Sequence, residues 1–265
     1  MPDRRVRFTL LGTGTSTGVP LPVCNCEVCT SDDPKDERLR CACLVEVDGV
    51  SLLIDAGPDL RLQCLRNNIN RIDAVLISHE HFDHVAGIDD LRAFLIWNRS
   101  ELPLFAQPRT ADAIRSRLDY IFVDGSYPGV PRLTMVDVGD RFTVHSRYGG
   151  DMQVDVERID IMHGQLPISG FRIGAFAYLT DASAISDRSF ERLQGVDTLI
   201  LSALRLEAHP THFQFDESIE AARRIGARKT YFVHMTHSIL HERDNANLPE
   251  GIELGYDGLT GEVTG

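Results

Sequence analysis

The chain has 265 residues, of which 43% are hydrophobic and 25% charged, and its formal net charge is −12. This composition is typical of a globular protein that buries a sizeable core. The negative charge argues against a broad surface for nucleic acid or anionic membranes, because both require a basic face. It does not exclude a small anionic substrate, since bound metal cations would dominate the local field.

The N-terminal residues, MPDRRVRFTLLGTG, contain no long apolar stretch, and no run in the chain reaches the length of a membrane helix. We therefore expect a cytoplasmic protein with no membrane partner, and one domain over residues 1–265. In such a chain, six cysteines are more often metal ligands, catalytic groups or buried thiols than disulfides.

Hydrophobic patterns predict many strands with helices between them, which indicates sheets covered by helices. Strands are predicted, in chain order, at Arg7–Leu11, Cys41–Val47, Ser51–Ile54, Ala74–Ile77, Leu104–Ala106, Thr134–Val138, Gln153–Ile159, Gly170–Ile173, Ala175–Leu179, Thr198–Leu201 and Thr230–Val233. Helices are predicted at Asp59–Asn67, Asp89–Trp97, Thr110–Phe122, Ser186–Leu193 and Asp216–Ile225.

Polar residues recur just past the predicted strands, so one rim of the sheets is expected to carry the chemistry. The densest group is Ser-His-Glu-His-Phe-Asp-His at 78–84, which directly follows the apolar run ending at Ile77. Its imidazoles and carboxylate suit zinc, manganese or iron. One ion cannot comfortably use all four ligands, so two neighbouring ions are predicted. The candidate ligands are His79, His81, Asp83 and His84, completed by His163, Asp181 and His234.

The completing residues have alternatives when each is considered alone. His163 could be an ordinary histidine at a strand end, Asp181 a helix N-cap and His234 a core histidine. Their order and their positions at strand ends favour a shared site. Asp55 follows Ile54 and is expected to hold a ligand imidazole by its other nitrogen. A turn residue in Asp-Ala-Gly-Pro is the alternative for Asp55.

This series resembles the ligand series of the metallo-β-lactamase superfamily, together with Gly12–Ser16 and Leu53–Gly57. The resemblance implies an α/β (α+β) fold, the four-layer αββα sandwich, with metals at one sheet edge. It further implies that His79, His81 and His163 bind the first metal, that Asp83, His84 and His234 bind the second, and that Asp181 bridges them. A bridging aspartate is the pattern of the phosphodiesterase and RNA-processing branches.

A second metal site is predicted in a loop at about residues 18–40, which contains Cys24, Cys26 and Cys29. Three thiols in six residues without a fourth nearby predict a Cys₃His zinc site, whereas a disulfide would leave one thiol over. His237 is the favoured fourth ligand and His241 the alternative. Cys41 and Cys43 alternate in an apolar strand, so at least one of them is expected to be buried, and Cys64 is expected in the core.

The cysteine loop resembles that of a subgroup with a structural zinc. This subgroup includes the phosphoribosyl cyclic phosphate phosphodiesterases of the carbon–phosphorus lyase pathway, in phosphonate metabolism, and the pyrroloquinoline quinone biosynthesis protein B group. The tRNA 3′-processing endonucleases share the active-site series, but this chain has no comparable basic, Gly-rich arm. An extended nucleic acid is therefore not expected as a partner, and the resemblance suggests a homodimer.

The resemblance also implies a mechanism. Two metals about 3.5–4 Å apart can share a hydroxide that attacks phosphorus. The leaving group then needs a proton or a positive partner, and His212 is assigned this role by resemblance, with His209 as the alternative. We predict Asp83, which is also a ligand, and His212 as the catalytic residues. A protonated His212 is expected to be favoured by phosphate and by acidic surroundings.

Four further side chains are candidate substrate contacts. Arg92 and Arg205 could orient a sugar phosphate, although most arginines are solvated surface charges. Tyr127 and Tyr178 could contact a ring or a ribose, with core packing as the alternative.

Together these features predict a dinuclear metal-dependent phosphodiesterase, a hydrolase acting on a small cyclic phosphodiester or nucleotide-like substrate such as phosphoribosyl 1,2-cyclic phosphate. The expected cofactors are two Mn²⁺ or Zn²⁺ ions in the active site and one structural Zn²⁺. The alternatives are a protein like the quinone biosynthesis protein B, a hydrolase like the tRNA 3′-processing endonucleases, and a non-catalytic metal-binding module.

Overall fold

The computed structural model describes residues 4–96, 101–123 and 129–264. Trp97, the end of one predicted helix, and Tyr127 lie outside the described residues. The first sheet contains β1 (Arg5–Gly12), β2 (Ala42–Val47), β3 (Val50–Ile54), β4 (Ala74–Leu76), β5 (Leu102–Ala106), β6 (Leu133–Asp137) and β15 (Thr260–Thr264), in the order β15-β1-β2-β3-β4-β5-β6.

The second sheet has the order β11-β8-β9-β10-β12-β13-β14, and β7 pairs with β8. It contains β7 (Arg141–His145), β8 (Gln153–His163), β9 (Leu166–Ile173), β10 (Phe176–Leu179), β11 (Ala184–Ile185), β12 (Thr198–Ser202), β13 (Lys229–Val233) and β14 (Ile252–Leu254).

The α-helices are α1 (Leu60–Arg66), α2 (Phe82–Val85), α3 (Pro108–Arg117), α4 (Asp119–Phe122), α5 (Asp187–Arg192), α6 (Phe215–Ile225) and α7 (His241–Asn245). Short 3-10 helices span Pro34–Asp36 and Ile88–Phe94. Among these helices, none has the length and hydropathy that crossing a membrane would require.

Alternation along the strands separates the apolar residues into three cores. Leu52 and Ile54 of β3 point into a core shared by both sheets, whereas Leu53 points toward the helices on the outer face of the first sheet. Likewise, Phe176 of β10 faces the shared core and Ala177 faces the core under α5 and α6. Successive side chains of a strand point to opposite faces of the sheet, so each of these strands is buried on both faces. Two such sheets with helices on their outer faces form the αββα sandwich that the family resemblance implies.

Several sequence predictions differ from the fold. The helix predicted at Asp89–Trp97 is a 3-10 helix over Ile88–Phe94, and the short helices α2 and α7 were not predicted. The helix predicted at Thr110–Phe122 is divided into α3 and α4, because Leu118 leaves the helical region with φ −120° and ψ 42°. The strands β7, β11, β14 and β15 were not predicted. They are short or polar, and most of them lie at a sheet edge, where a strand pairs with only one other strand and buries fewer side chains. Their hydrophobic pattern is therefore weak.

Strand direction brings the predicted site residues to one rim. Strand β4 runs parallel to β3, and β10, β12 and β13 run parallel to one another. Strand β8 runs in the same direction as β10, since both are antiparallel to β9. The carboxyl ends of these strands therefore meet at one edge of the sandwich.

Candidate metal centre

All seven predicted active-site ligands come together at the carboxyl ends of the strands. One group of ligand atoms, mutually within 4.8 Å, contains His79, His81 and His163. A second group contains Asp83, His84, Asp181 and His234. The division is the one that the family resemblance implies, and the ligand roles themselves stay predictions.

Asp181 occupies the position between the two groups. Its Oδ2 lies 3.5 Å from His84 Nε2 and 3.2 Å from His234 Nε2, both in the second group. The same oxygen lies 3.9 Å from His79 Nε2 in the first group. A single carboxylate oxygen that approaches imidazoles of both groups has the geometry of a bridging ligand.

The side chains at this rim fit divalent cations. The Nε2 atoms of His79, His84 and His234 are buried and have no hydrogen-bond partner among the described residues. Buried polar atoms normally have a partner, because an unpaired one costs free energy. Imidazole nitrogens with carboxylate oxygens form a donor set suited to zinc, manganese or iron. Two divalent ions would satisfy these atoms at once.

Asp55 orients imidazoles in both groups. Its Oδ2 accepts a hydrogen bond from His84 Nδ1 at 2.7 Å and another from the Ser78 hydroxyl at 2.8 Å. The same hydroxyl lies 3.0 Å from His79 Nδ1. A carboxylate bound to the second ring nitrogen of a ligand histidine fixes its tautomer. The predicted contact of Asp55 is therefore present, and Ser78 extends it to His79.

His163 is oriented by the main chain instead. Its Nδ1 lies 2.7 Å from the carbonyl oxygen of Thr211, so this nitrogen donates and Nε2 is left with the lone pair. The loop that carries His212 thus also positions a candidate ligand of the first group.

The charges of the second group support one another. Burial alone would raise the pKa of Asp181, but His234 and His84 hold that pKa well below its usual range. Burial likewise opposes the charged form of His84, yet Asp181 and Asp55 raise the His84 pKa well above its usual value. Burial lowers the pKa of His79. Asp181 is therefore ionised and attracts cations.

Three site residues have a left-handed backbone. Asp55, Asp181 and His234 have φ values of 63°, 56° and 62°. Non-glycine residues adopt this region rarely, and histidine and aspartate are among the types that tolerate it best. Each follows the end of a strand, where the turn redirects its side chain into the rim. Strain of this kind concentrates at functional sites.

Gly57 allows the two ligand-bearing loops to approach each other. A Cβ atom at this position would lie 2.0 Å from the carbonyl oxygen of Asp83, which no side chain permits. The close approach lets the amide of Ala56 donate to the His84 carbonyl at 2.8 Å. This explains the glycine of the Leu53–Gly57 segment.

His212 lies beside the centre, as predicted. Its ring centre is 4.4 Å from that of His163, and the ring stacks on His234 at 4.9 Å. The protonated His212 expected with phosphate bound stays a prediction; in the protein alone, burial outweighs nearby Asp181, which raises the pKa of His212. Burial, followed by His234, lowers the pKa of His212 to about 3. His209, the alternative, lies farther out, with its ring centre 5.2 Å from that of His212.

The other candidate substrate contacts separate into three cases. Tyr178 is a core residue, 1% exposed. Arg205 bonds the carbonyls of Glu207 and Ala208 in the same loop as His209, whereas Arg92 is engaged by Asp89.

The structure brings together the four residues predicted for the second site. Cys24, Cys26, Cys29 and His237 have ligand atoms within 4.8 Å of one another, and the three cysteines are not in disulfides. The amide of Cys29 and the ring of His237 lower the pKa of Cys26 to about 6, which favours the thiolate that zinc requires. Three sulfurs and one imidazole match a structural zinc site.

The alternative fourth ligand is excluded by its position. His241 is buried, begins α7 and packs against Tyr256, and it is not part of the cysteine group. The remaining cysteines, Cys41, Cys43 and Cys64, are buried in the cores, as expected.

A buried ion pair holds the cysteine loop against the segment that carries His237. Arg38 is 1% exposed and pairs with Asp36 at 2.9 Å. Its guanidinium also donates to the carbonyls of Thr236 and Ile239 at 3.1 and 2.7 Å, on either side of His237. Sequence reasoning missed Arg38, because nothing in the local pattern marks an arginine as buried. Ser78 was missed too, although it directly precedes His79.

Comparisons with known proteins agree with this geometry. The model of the beta-lactamase superfamily domain matches residues 51–235. The crystal structure of a new diphosphatase from the PhnP family is 39% identical, with a TM-score of 0.89 and coverage of 98% of both chains. Zn²⁺-bound PqqB from Methylobacterium extorquens is 22% identical with a TM-score of 0.75, covering 97% of this chain and 100% of that chain, which shows the fold alone.

Among curated proteins, an octanoyltransferase of Porphyromonas gingivalis is 41% identical over 96% of this chain, and a ribonuclease Z of Bradyrhizobium sp. (strain ORS 278) is 30% identical over 46% of it. The matches cover 51% and 37% of those proteins, so the chain spans about half the length of these relatives or less. Their names do not transfer to it as a whole. The domain match covers most of the chain, and the chain therefore belongs to the beta-lactamase superfamily and has the metallo-β-lactamase fold.

Proposed function

We propose that this chain is a metal-dependent phosphodiesterase that hydrolyses a small cyclic phosphodiester, such as phosphoribosyl 1,2-cyclic phosphate. The observation that carries the proposal is Asp181 Oδ2, which lies within 4 Å of imidazoles from both ligand groups. A carboxylate in this position suits a pair of metals that clamp a phosphoryl group. Bound there, the metals would supply a nucleophile from water at neutral pH and positive charge for the phosphoryl oxygens.

The residues of the chain divide the remaining work. His79, His81 and His163 would hold one metal, and Asp83, His84 and His234 the other. Asp55 accepts from His84 Nδ1, so Nε2 would be the nitrogen that binds a metal once the second proton of the ring is displaced. These contacts set the ligands before any substrate binds, so little reorganisation is needed during the reaction.

His212 is the proposed partner of the leaving oxygen. Its ring lies against both His163 and His234, and its Nδ1 is buried without a hydrogen-bond partner among the described residues. The imidazole is neutral in the protein alone, so it acts first as a hydrogen-bond donor. A bound phosphate anion beside the ring favours its protonated form and hence proton transfer to the leaving alkoxide.

The similarity to a diphosphatase at 39% identity favours a second candidate, hydrolysis of a diphosphate linkage. Both reactions use the same ligands and differ in the leaving group. A panel with ribose 1,2-cyclic phosphate, bis(p-nitrophenyl) phosphate and ADP, each with Mn²⁺ or Zn²⁺ supplied, separates the two. If the protein hydrolysed ADP and neither of the phosphodiesters, the proposed activity would be that of a diphosphatase.

The decisive variant is His212→Ala. We expect it to lose about 10²–10⁴-fold in kcat, the range for a positioned acid–base group, while its metal content by elemental analysis stays that of the wild type. His209→Ala is the matched control, since His209 lies farther from the ligands, and it should lose much less. If the two variants lost kcat equally, or if His212→Ala kept wild-type activity, His212 would not be the partner of the leaving oxygen.

A further inference from the structure

A cavity of about 650 Å³ lies on the second sheet, away from the metal centre. It is formed by the edge strand β7, the adjoining part of β8, the end of β9 and the turns after β9 and α5. Glu157 in its lining precedes His163 by six residues on β8, so the two are about 20 Å apart along the strand. Ala175, also in the lining, directly precedes β10, whose other end leads to Asp181. The cavity and the metal centre therefore lie at opposite ends of the same sheet.

A row of alternating charges crosses three strands at this cavity. Arg141 of β7 lies opposite Glu157 of β8, and Glu157 lies opposite Arg172 of β9. Phe171 points into the core shared by the two sheets, so its neighbour Arg172 points to the outer face. Arg192, the last residue of α5, reaches the Glu157 carboxylate at 3.4 Å. Three guanidinium groups therefore surround one carboxylate.

Arg172 is held in place by main-chain carbonyls and has no acidic partner. Its Nε donates to the Gly174 carbonyl at 3.0 Å, and its Nη1 donates to the Arg192 carbonyl. Glu157 pairs instead with Arg141 at 3.0 Å and with Arg192, and within the described part of the chain Nη2 of Arg172 has no hydrogen bond or ion pair. Burial lowers the pKa of Arg172, Glu157 raises it, and the other two arginines lower it again. A charge withdrawn from water is usually paired, so this guanidinium favours an anion beside it.

The rest of the lining leaves Arg172 open to a ligand. A Cβ atom at position 195 would lie 3.8 Å from Nη2, and because this residue is Gly195, no side chain covers the guanidinium. The second carboxylate of the lining, Asp155, accepts a hydrogen bond from the Thr143 hydroxyl at 2.7 Å. It is diagonal to Arg172 across the strands, a separation of about 7–8 Å. Phe142 contributes an apolar wall.

We propose that this cavity binds a small organic oxyanion, a carboxylate or a phosphate monoester, between Arg172 and Arg141. Arg172 supplies the unpaired Nη2. The Arg141 side chain is 76% exposed and can turn from Glu157 to the ligand, because Glu157 keeps Arg192 as a partner. Guanidinium groups bind both kinds of oxyanion through directed N–H bonds, and Phe142 packs against the organic part of the ligand. The inference goes beyond the proposed function and does not depend on it, because no lining residue is a candidate metal ligand.

Four probes that share a benzene ring test the chemistry of the cavity. Benzoate and phenyl phosphate present the two oxyanions, whereas benzyl alcohol presents a neutral group and benzylamine a cation. In isothermal titration of the metal-loaded protein we expect at least one of the anions to bind, and more tightly than the alcohol or the amine. Arg172→Met should weaken that binding about tenfold or more, the size of one lost charged hydrogen bond. Arg188→Met is the matched control, since it removes an exposed arginine of α5 that pairs with Asp140, and it should leave the affinity unchanged.

The two anions distinguish the possible ligands. Phenyl phosphate can also bind at the metals, so only the part of its binding that Arg172→Met removes is assigned to the cavity. A loss confined to benzoate identifies a carboxylate ligand, and a loss confined to phenyl phosphate identifies a phosphate monoester. If thermal unfolding showed that Arg172→Met does not fold, Arg141→Met would replace it, with a loss of affinity again expected.

Three results would overturn the inference. The first is that neither anion binds to the wild type. The second is that benzylamine or benzyl alcohol binds as tightly as the anions. The third is that anion binding persists in both Arg172→Met and Arg141→Met, or that Arg188→Met weakens it as much as they do.

Discussion

Replacement of Asp55 by asparagine tests how the second metal group is organised. Asp55 Oδ2 accepts hydrogen bonds from His84 Nδ1 and the Ser78 hydroxyl, and Oδ1 accepts one from the Ser78 amide at 2.8 Å. Asparagine is nearly the same size and tolerates the left-handed backbone of this position, where φ is 63°. The substitution therefore changes hydrogen bonding without adding backbone strain.

The size of the effect follows from those three bonds. The asparagine oxygen can accept from the Ser78 amide, and its NH₂ group then faces His84 Nδ1. That nitrogen must become an acceptor, so the proton of the neutral ring moves to Nε2, the atom that faces Asp83 and Asp181 at 3.2 and 3.5 Å. A protonated Nε2 cannot bind a metal. Loss of such an orienting carboxylate costs about 10–100-fold in metal affinity, or ~1.4–2.7 kcal/mol.

The assay is competition for Mn²⁺ and Zn²⁺ with a chromophoric chelator. Asp55→Asn should weaken one active-site equivalent strongly, while the equivalent at the cysteine loop keeps its wild-type affinity and serves as an internal standard. Thermal unfolding of the metal-free variant checks that the fold is retained. If Asp55→Asn bound both active-site ions with wild-type affinity, Asp55 would not control the tautomer of His84, and the reasoning would fail.

Three further predictions concern stability and zinc. Arg38→Met leaves the buried Asp36 carboxylate without its charged partner and should cost about 3–5 kcal/mol in urea unfolding. Arg141→Met removes an exposed pair and should cost less than about 1 kcal/mol; similar costs for the two variants would contradict this reasoning. Cys26→Ser should lower zinc by one equivalent in elemental analysis, whereas Cys64→Ser should not; unchanged zinc in Cys26→Ser would exclude the loop site. Burial raises the pKa of Asp257 from 3.8 to about 7. Between these pH values the folded protein binds more protons than the unfolded chain, so its stability falls as pH rises. Asp257→Asn should make the thermal unfolding temperature depend less on pH in this window, and an unchanged pH dependence would refute the reasoning.

The grouping of the candidate ligands could be predicted because their signal is local or ordered along the chain. His79, His81, Asp83 and His84 lie within six residues directly after an apolar strand. Parallel strands bring their carboxyl ends to one edge, so the later candidates at strand ends could be expected there as well. The cysteine spacing was informative for the same reason, since three thiols so close together have few structural alternatives.

What could not be predicted depends on burial and on contacts between distant segments. The pKa of His212 is lowered because its ring is enclosed by His163 and His234, and a sequence does not reveal that enclosure. Arg38 and Arg117 resemble ordinary surface arginines in the sequence. One is buried with Asp36 and the other bonds the segment between two ligands, and only the fold distinguishes them. The homodimer and the cytoplasmic location stay predictions.

The two metal sites are joined through one short segment. His234 belongs to the active-site group and His237 to the cysteine group, and only Met235 and Thr236 separate them. The carbonyl of Met235 accepts from the Thr15 amide at 3.1 Å, its amide donates to the Thr13 carbonyl at 3.1 Å, and Arg38 holds the Thr236 carbonyl. Since His234 has a left-handed backbone at φ 62°, contacts on both sides of it must hold that strained geometry. Zinc bound at the cysteine loop would therefore stabilise the turn that presents His234 to the active-site group, and it would be physically linked to any metals bound there.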